Sequence, residues 1–324
     1  MNRSSRLRTA LGVTAALLSG TATQAAPWRH GVIEPKSDAG FFLMATTQDF
    51  AKKHGLELQV VPLKNETLGL RALISGDLDS YEGSPPIVAA ARGADVKVIG
   101  CPWGSLPHLI LARTGIDTLK DLAGKNMATS SPGSMPDLVG RIALEQAGLA
   151  PGSVKLANVG SDSDRYRSLV GGIVDAAVIS SEYLPIADMQ KVHVLAKGGA
   201  VVPEFMRICY QTTAKTIAER PDDVVRFLTL EMDSLRYALD HKDATVALTR
   251  AATGQKPDDP RAAFMFDEAS QPGAVDPTLP IPAAKFEATQ QALIKLGVSP
   301  KAIDIAAIID AAPREKALAA AGRQ

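Results

Sequence analysis

The sequence is short of the residues that specialised chemistries need. Its 324 residues contain two cysteines, Cys101 and Cys209, with no C-x-x-C motif and no Cys/His cluster. That excludes a disulfide framework and a thiolate zinc site. Two readings of the cysteines stay open: a pair formed in an oxidising compartment, or two small buried apolar side chains. Aromatic residues make up only 5% of the chain, too few for the stacking platforms that sugar and single-strand binders use. Neither sign of charge dominates, with 35 basic and 35 acidic residues. Without a basic run or an RNA-stacking motif, nothing points to nucleic acid. His30, His54, His108, His193 and His241 show no metal-ligand spacing, and there is no Gly-x-Ser-x-Gly elbow. No metal, cofactor or catalytic residue is expected.

Long apolar runs are also lacking. The longest begins at Ala10 and ends at Leu18, well short of the roughly 20 residues that cross a bilayer. Arg3, Arg6 and Arg8 precede it, and small and polar residues follow from Ser19 to Ala26. This is the layout of a secretory signal peptide over residues 1–25, with cleavage after Ala25 and Thr23 at the −3 position. No cysteine lies near the cleavage point to carry a lipid anchor, so a free periplasmic product is expected. Removing those three arginines from a chain of balanced charge leaves a net charge of −3.

From residue 30 to about 212, short β-like runs alternate with amphipathic helical stretches. Strands are expected at His30–Glu34, Leu56–Pro62, Val96–Cys101, His108–Arg113, Met127–Ser130, Val154–Val159 and Ala176–Ser180. Helices are expected at Phe41–Lys53, Thr67–Ile74, Ile87–Ala91, Leu138–Ala147 and Arg165–Val170. Alternation on this scale implies parallel βαβ units and an α/β fold. Residues 214–310 read as mostly helical. The longest segment is Pro221–His241, with Val225, Leu228, Met232, Leu235 and Leu239 on one face.

An internal echo divides the chain. Residues 73–79 read Leu-Ile-Ser-Gly-Asp-Leu-Asp, and residues 169–175 read Leu-Val-Gly-Gly-Ile-Val-Asp. Each describes a helix end, a glycine stop and entry to a strand, with an arginine (Arg71, Arg167) at the same offset before it. Gly76 and Gly172 suit the left-handed residue that ends many helices. Two copies in the same βαβ context fit two related lobes.

Several expected helices start with serine at the end of a strand: Ser37-Asp38-Ala39-Gly40, Ser84-Pro85-Pro86, Ser131-Pro132-Gly133-Ser134, Ser161-Asp162-Ser163 and Ser180-Ser181-Glu182. Each alone is explained by capping. Together they carry a second meaning. Ligands of open α/β sheets gather outside the carboxyl ends of the strands, where helix N-termini offer free N–H groups. Two facing lobes would converge these ends on one cleft suited to capture.

The segments Gly115–Lys125 (Gly-Ile-Asp-Thr-Leu-Lys-Asp-Leu-Ala-Gly-Lys), Ser130–Ser134, Leu144–Leu149 with Val154, and Arg92–Ile99 extend the pattern. In order and spacing, the chain from about Gly31 to His241 resembles the ABC-importer substrate-binding proteins of the sulfonate/nitrate/taurine and thiamine-pyrimidine-precursor type. The part after His241 matches loosely. The resemblance implies a two-lobe periplasmic-binding-protein type II fold with two hinge crossovers and a helical C-terminal part. Residues 27–112 and 207–324 would form lobe 1, and residues 113–206 lobe 2. It implies a monomer that closes on a small-molecule ligand, docks on an ABC permease with its ATPase subunit, and has no enzyme activity of its own. Carried over by position, the ligand contacts would be Ser37, Asp38, Ser84, Pro85, Trp103, Ser131, Gly133, Ser134, Glu182, Tyr183 and Arg207.

Trp103 is the preferred stacking or lid residue, with packing beneath a loop as its other role. His108 is expected to be structural. Arg207 would fork onto a carboxylate or sulfonate, or be salt-bridged. The serine caps and Arg207 suggest an organic anion. Glu34, Asp38, Glu82 and Glu182 argue against one wherever they are left unpaired, and would suit an amino-substituted heterocycle such as a pyrimidine precursor. An enzyme built on the same fold, or a sensor partner, would be the rival readings.

Overall fold

A computed structural model describes residues 26–33, 35–130, 132–188 and 191–321. The signal-peptide reading, Glu34 and Ser131 therefore lie outside the described residues. Among the described residues, ten strands form two five-stranded sheets. They are β1 (Trp28–Ile33), β2 (Leu58–Leu63), β3 (Ser80–Gly83), β4 (Lys97–Trp103), β5 (His108–Arg113), β6 (Asn126–Thr129), β7 (Lys155–Asn158), β8 (Ala176–Ser180), β9 (Val192–Lys197) and β10 (Ile208–Thr212). The orders are β2-β1-β3-β10-β4 and β7-β6-β8-β5-β9. In each sheet the fourth strand runs antiparallel to both its neighbours. The sheets therefore share one topology, each with its single reversed strand contributed by a segment next to a crossover. The chain has the periplasmic-binding-protein fold.

The echo falls at equivalent junctions. Helices Glu66–Ser75 and Asp162–Val170 stop before Gly76 (φ 83°) and Gly172 (φ 72°), both left-handed. In the first lobe the Arg29 N–H donates to Asp79 Oδ2 (2.8 Å) and the Asp79 N–H to the Arg29 carbonyl (2.9 Å). In the second, the Asn126 N–H donates to Asp175 Oδ2 (2.9 Å) and the Asp175 N–H to the Asn126 carbonyl (3.0 Å). The repeated aspartate thus ties the incoming strand to the first strand of its βαβ unit.

The chain crosses between sheets at residues 104–107 and returns at 198–207. Strand β5, assigned to the first lobe by the expected boundary at 112, is hydrogen-bonded between β8 and β9 in the second sheet. The break lies at Gly104-Ser105-Leu106-Pro107, where glycine and proline interrupt the strand pattern. Leu109–Ala112 is buried throughout, as a central strand requires. Cys101 on β4 and Cys209 on β10 are bonded to each other, their Cα atoms 3.9 Å apart. The disulfide joins the strands that flank both crossovers and encloses the second lobe.

The expected helix Phe41–Lys53 is interrupted. Helix Ala39–Leu43 and a 3₁₀ turn at Met44–Thr46 precede a new helix at Phe50–Lys53. Thr46 and Thr47 donate their hydroxyls to the Leu43 and Met44 carbonyls, and Gln48 and Asp49 take positive φ. Such local side-chain bonds compete with helix continuation. Helix Pro221–Asp240 is buried on more than one face: Val224, Phe227, Leu230 and Ala238 are fully enclosed besides Leu228, Met232 and Leu235. Trp28 stacks on its Phe227 at 5.4 Å. A second core runs through the crossover, joining Ile87 and Cys101 to Leu138 and Val139 of the second lobe and to Phe286 and Leu293 of helix Ala283–Lys295. Lys295 of that C-terminal helix is ion-paired with Glu145 of the second lobe. Among the described residues, no helix is long and apolar enough to cross a membrane.

Candidate functional site

The carboxyl ends of β1, β3, β6 and β7 and the starts of β5 and β10 enclose a cleft of about 900 Å³. Lys36, Asp38, Glu82, Ser84 and Arg207 line it from the first sheet, and His108, Gly133, Ser134, Asp162 and Arg165 from the second.

The five serine starts do different things. Ser161 caps its helix, its side chain accepting the Asp164 N–H at 3.2 Å. Ser84 is occupied by Glu66 Oε1, through its N–H (3.1 Å) and its hydroxyl (2.8 Å). Ser37 accepts from Gln255 Nε2 at 2.7 Å while its N–H donates to Glu182 Oε2 at 3.0 Å. Ser180 makes no side-chain cap; its N–H donates to Asp162 Oδ1 at 2.9 Å. Ser134 stands at the N-terminus of helix Met135–Gln146 without a cap bond, and its buried hydroxyl has no partner. The nearby Gly133 N–H is held instead by Asp137 Oδ2 (2.9 Å).

Arg207, just before β10, is a cation of the cleft wall. Its Nη2 is paired with Asp38, and its guanidinium carbon lies 4.3 Å from the centre of the Trp103 ring. Its Nη1 is buried with no partner. Trp103 is 1% exposed, stacked on Phe42 at 5.5 Å and edge-on to Phe41 at 5.7 Å. It supports Arg207 from beneath and does not stand in the cleft as a lid. Pro85 faces a neighbouring chamber. Tyr183 is buried against Tyr166, with the Arg261 guanidinium carbon 5.8 Å from its ring. Neither Pro85 nor Tyr183 lines the main cleft.

Of the carboxylates that argue against an anion, Asp38, Glu82 and Glu182 lie among the described residues, and Asp162 joins them at the cleft. Asp38 is paired with Arg207. Asp162 carries Lys36 Nζ at 2.9 Å and is bonded by Arg165; burial opposes its ionisation, but the two cations hold its carboxyl well below the usual range. Glu182 accepts from Ser37, and burial raises its pKa despite that bond. Glu82 is 2% exposed. Burial pushes it well above the usual carboxylate range, with Asp38 and Glu231 adding to the effect and Arg207 opposing it. The protonated acid is thereby favoured, and a protonated carboxyl is a donor. Its Oε1 accepts the Ile33 N–H at 3.3 Å, and its Oε2 has no partner. His108 is driven down to about 3 by burial, so its ring is neutral, and its Nδ1 is also unpartnered.

Glu82, His108, Ser134 and Arg207 thus each bring one buried, unpaired polar atom to residues that line the same cleft. Leaving such a group unsatisfied costs about 1–3 kcal/mol, so each is a candidate for a bond to water or ligand. Five basic side chains (Lys36, Lys64, Arg71, Arg165, Arg207) face four acidic ones (Asp38, Glu66, Glu82, Asp162), and burial disfavours the charged form of Glu82. The arrangement can hold a compact anion with hydrogen-bond donors on both lobes.

Among the residues expected from sequence, Asp38, Ser84, Gly133, Ser134 and Arg207 line the cleft, and Ser37 and Glu182 join its two walls. Lys36, Asp162 and Arg165 were not anticipated. The Asp162/Arg165 spacing of i,i+3 on a short helix was the one local signal for that pair.

A family model described as "NMT1/THI5 like" matches residues 36–245, and the chain belongs to that family. No curated protein matches the sequence. Among solved structures, the periplasmic aliphatic sulphonate binding protein SsuA from Escherichia coli is similar at 24% identity, with a TM-score of 0.74 over 88% of this chain and 92% of that one. The alkanesulfonate-binding protein SsuA from Xanthomonas axonopodis pv. citri bound to MOPS is similar at 19% identity, with a TM-score of 0.73 over 90% of this chain and 100% of that one. The desulfurization enzyme DSZB is similar at 17% identity, with a TM-score of 0.65 over 90% of this chain and 99% of that one. These likenesses establish the shared fold.

Proposed function

We propose that the protein is a periplasmic solute-binding protein that captures a small organic anion, a sulfonate or carboxylate, between its lobes and delivers it to an ABC importer. The observation that carries this reading is the convergence of four unpaired buried polar atoms, on Glu82, His108, Ser134 and Arg207, at one cleft with a cationic surplus. Arg207 supplies charge, Ser134 and the neutral Glu82 supply donors, and His108 supplies a donor or acceptor according to its tautomer. Lobe 1 would comprise residues 27–107 with 207–324, and lobe 2 the segment between. The family membership and the sulfonate-binding proteins among its structural relatives support the ligand class. The Cys101–Cys209 bond supports an oxidising compartment, where such pairs persist.

Titration calorimetry of the mature protein (from Ala26) with ethanesulfonate, acetate, nitrate and a pyrimidine tests the reading. One saturable ligand among the anions is expected. Binding of the pyrimidine alone would overturn the anion assignment. The desulfurization enzyme on the same fold makes turnover the second reading, and a bound anion recovered chemically unchanged after long incubation answers it.

A further inference from the structure

Glu82 stands next to the end of β3 and lines the cleft although it is 2% exposed. Its two oxygens are held differently. Oε1 accepts the Ile33 N–H of β1 at 3.3 Å, and Oε2 is buried with no partner among the described residues. The neighbouring groups do not make up the deficit. Arg207 is committed to Asp38 through Nη2. Tyr210, opposite Glu82 in the β3–β10 register, donates its hydroxyl to Glu231 of helix Pro221–Asp240. His30 of β1 is bonded through Nδ1 to Ser80 and kept neutral by burial, down to about 3. In the second lobe His108 is likewise neutral, and the charges around it are Lys36, Asp162, Arg165 and Arg207. An ionised Glu82 would therefore be a buried charge with one N–H donor and two carboxyls, Asp38 and Glu231, for neighbours. Buried charges need better pairing than that. A proton removes the charge and gives the cleft wall an O–H donor.

An anion placed beside Arg207 shifts this balance in one direction only. It is a further negative charge near Glu82, and it is an acceptor for a carboxyl O–H; both effects favour the protonated form. We propose that the ligand enters together with one proton, taken from solvent onto Glu82 and donated from its carboxyl O–H to the anion, so that affinity is lost as pH rises. This rests on the reading of the cleft as an anion site and adds the proton as a second ligand. Below the pKa of Glu82 in the empty protein the carboxyl already carries its proton, and affinity is full. Above that value the proton has to be collected on binding, and each further pH unit costs about tenfold in affinity.

Ethanesulfonate, whose sulfonate stays ionised throughout, is titrated calorimetrically between pH 5.5 and pH 9 in pairs of buffers that differ in ionisation enthalpy. The dependence of the heat on the buffer counts the protons taken up. In the wild type, affinity should fall by about tenfold or more across this range, with uptake rising towards one proton at its upper end. Glu82→Gln keeps an acceptor for the Ile33 N–H and puts a neutral donor beside it, so its profile should be flatter and its uptake near zero. In Glu231→Gln the uptake should remain. A flat wild-type profile without proton uptake overturns the proposal while leaving the anion cleft standing, and this measurement does not depend on any variant folding. A fall and an uptake that persist unchanged in Glu82→Gln belong to other groups, such as His108, Glu231 or the cleft lysines Lys36 and Lys64, and also overturn it. Failure of ethanesulfonate to bind at any pH removes the cleft reading and the proton coupling together.

Discussion

Replacing Arg207 by lysine isolates the contact on which the proposed function depends most. In the structure Nη2 is engaged by Asp38, the guanidinium rests on Trp103, and Nη1 is buried without a partner. An anion at Nη1 would receive a charge-assisted hydrogen bond worth about 1.5–3 kcal/mol. Removing the whole charge is the wrong experiment. It would strand the buried Asp38 carboxylate at a cost of about 3–5 kcal/mol and confuse binding with folding. Lysine keeps a positive charge for Asp38 and for the Trp103 face, but lacks the planar fork that serves Asp38 and a second anion at once. The dissociation constant for ethanesulfonate should therefore rise by about 10- to 150-fold, with the ligand-free melting temperature shifted by only a few degrees. Calorimetry reads the first quantity and far-UV circular dichroism the second. Unchanged affinity in a normally folded variant would refute the assignment of Nη1 as a ligand donor.

Other consequences follow from the same geometry. The Cys101–Cys209 bond spans 108 residues, a loop whose closure is worth about 4–5 kcal/mol of unfolded-state entropy; urea unfolding of the Cys101→Ala/Cys209→Ala double variant should show a loss of that order, and a loss below about 1 kcal/mol would show that the loop is closed by other means. Ser161→Ala should cost about 1 kcal/mol of stability because its side chain caps a helix. Ser134→Ala should cost little, since it caps nothing, yet weaken anion binding; equal stability losses in the two variants would contradict this division. Burial pushes Glu231 up to about 7 despite the Tyr210 hydroxyl that donates to its Oε2 at 2.7 Å. Its carboxyl is thus protonated in the fold at pH values where the unfolded chain has released the proton. The resulting stability is full below the ordinary carboxylate value and is lost as pH rises through 7, by up to about 3 kcal/mol. Glu231→Gln should flatten the fall in stability between pH 5 and pH 8.5, and an unaltered fall would assign it to other groups.

The parts of the fold that were legible in the sequence are those set by local rules. The glycine-stopped helix followed by aspartate was readable twice, because a left-handed glycine and a carboxylate at strand entry leave a fixed spelling, and both copies occupy equivalent places in sheets of identical order. Strands β5 and β8 are bounded in the structure as the apolar runs predict. Their sheet partners were not readable, so β5 was assigned to the wrong side of the crossover. The helix expected over Phe41–Lys53 shows apolar periodicity overruled by threonine side chains that bond to their own backbone. At the site, Ser84, Ser134 and Ser161 of the serine starts line the cleft, but spacing could not separate Ser161, which caps, from Ser134, which does not. That difference depends on Asp137 reaching back to Gly133. Sequence could not choose between the two roles of Trp103 for a similar reason: Phe41, Phe42 and Arg207 come together around it only in three dimensions. Nor could composition reveal that Glu82 is pushed above the usual carboxylate range, since that depends first on its burial and then on Asp38 and Glu231, which lie far away in sequence.

One loop connects ligand capture to the relation between the lobes. Lys36, Ser37 and Asp38 are consecutive, and each engages a different element: Asp162 and Glu182 in the second lobe, and Arg207 at the cleft. The first two contacts cross from lobe to lobe, and neither is strong. Lys36 is 43% exposed along its side chain, so screening by water limits its pair with Asp162 to about 0–1 kcal/mol. The Ser37–Glu182 hydrogen bond adds about 1 kcal/mol. Together they favour the observed arrangement by a factor of roughly 5 to 30, which is short of locking it. A ligand moves such an equilibrium only by binding the closed form better than the open one. An anion that bonds Arg207 on one wall and Ser134 on the other does so, because the second bond exists only when the walls face each other. Under the proposed reading, this loop is too weak a latch to hold the lobes together by itself. It leaves closure to the ligand and lets the lobes reopen when a partner pulls them apart.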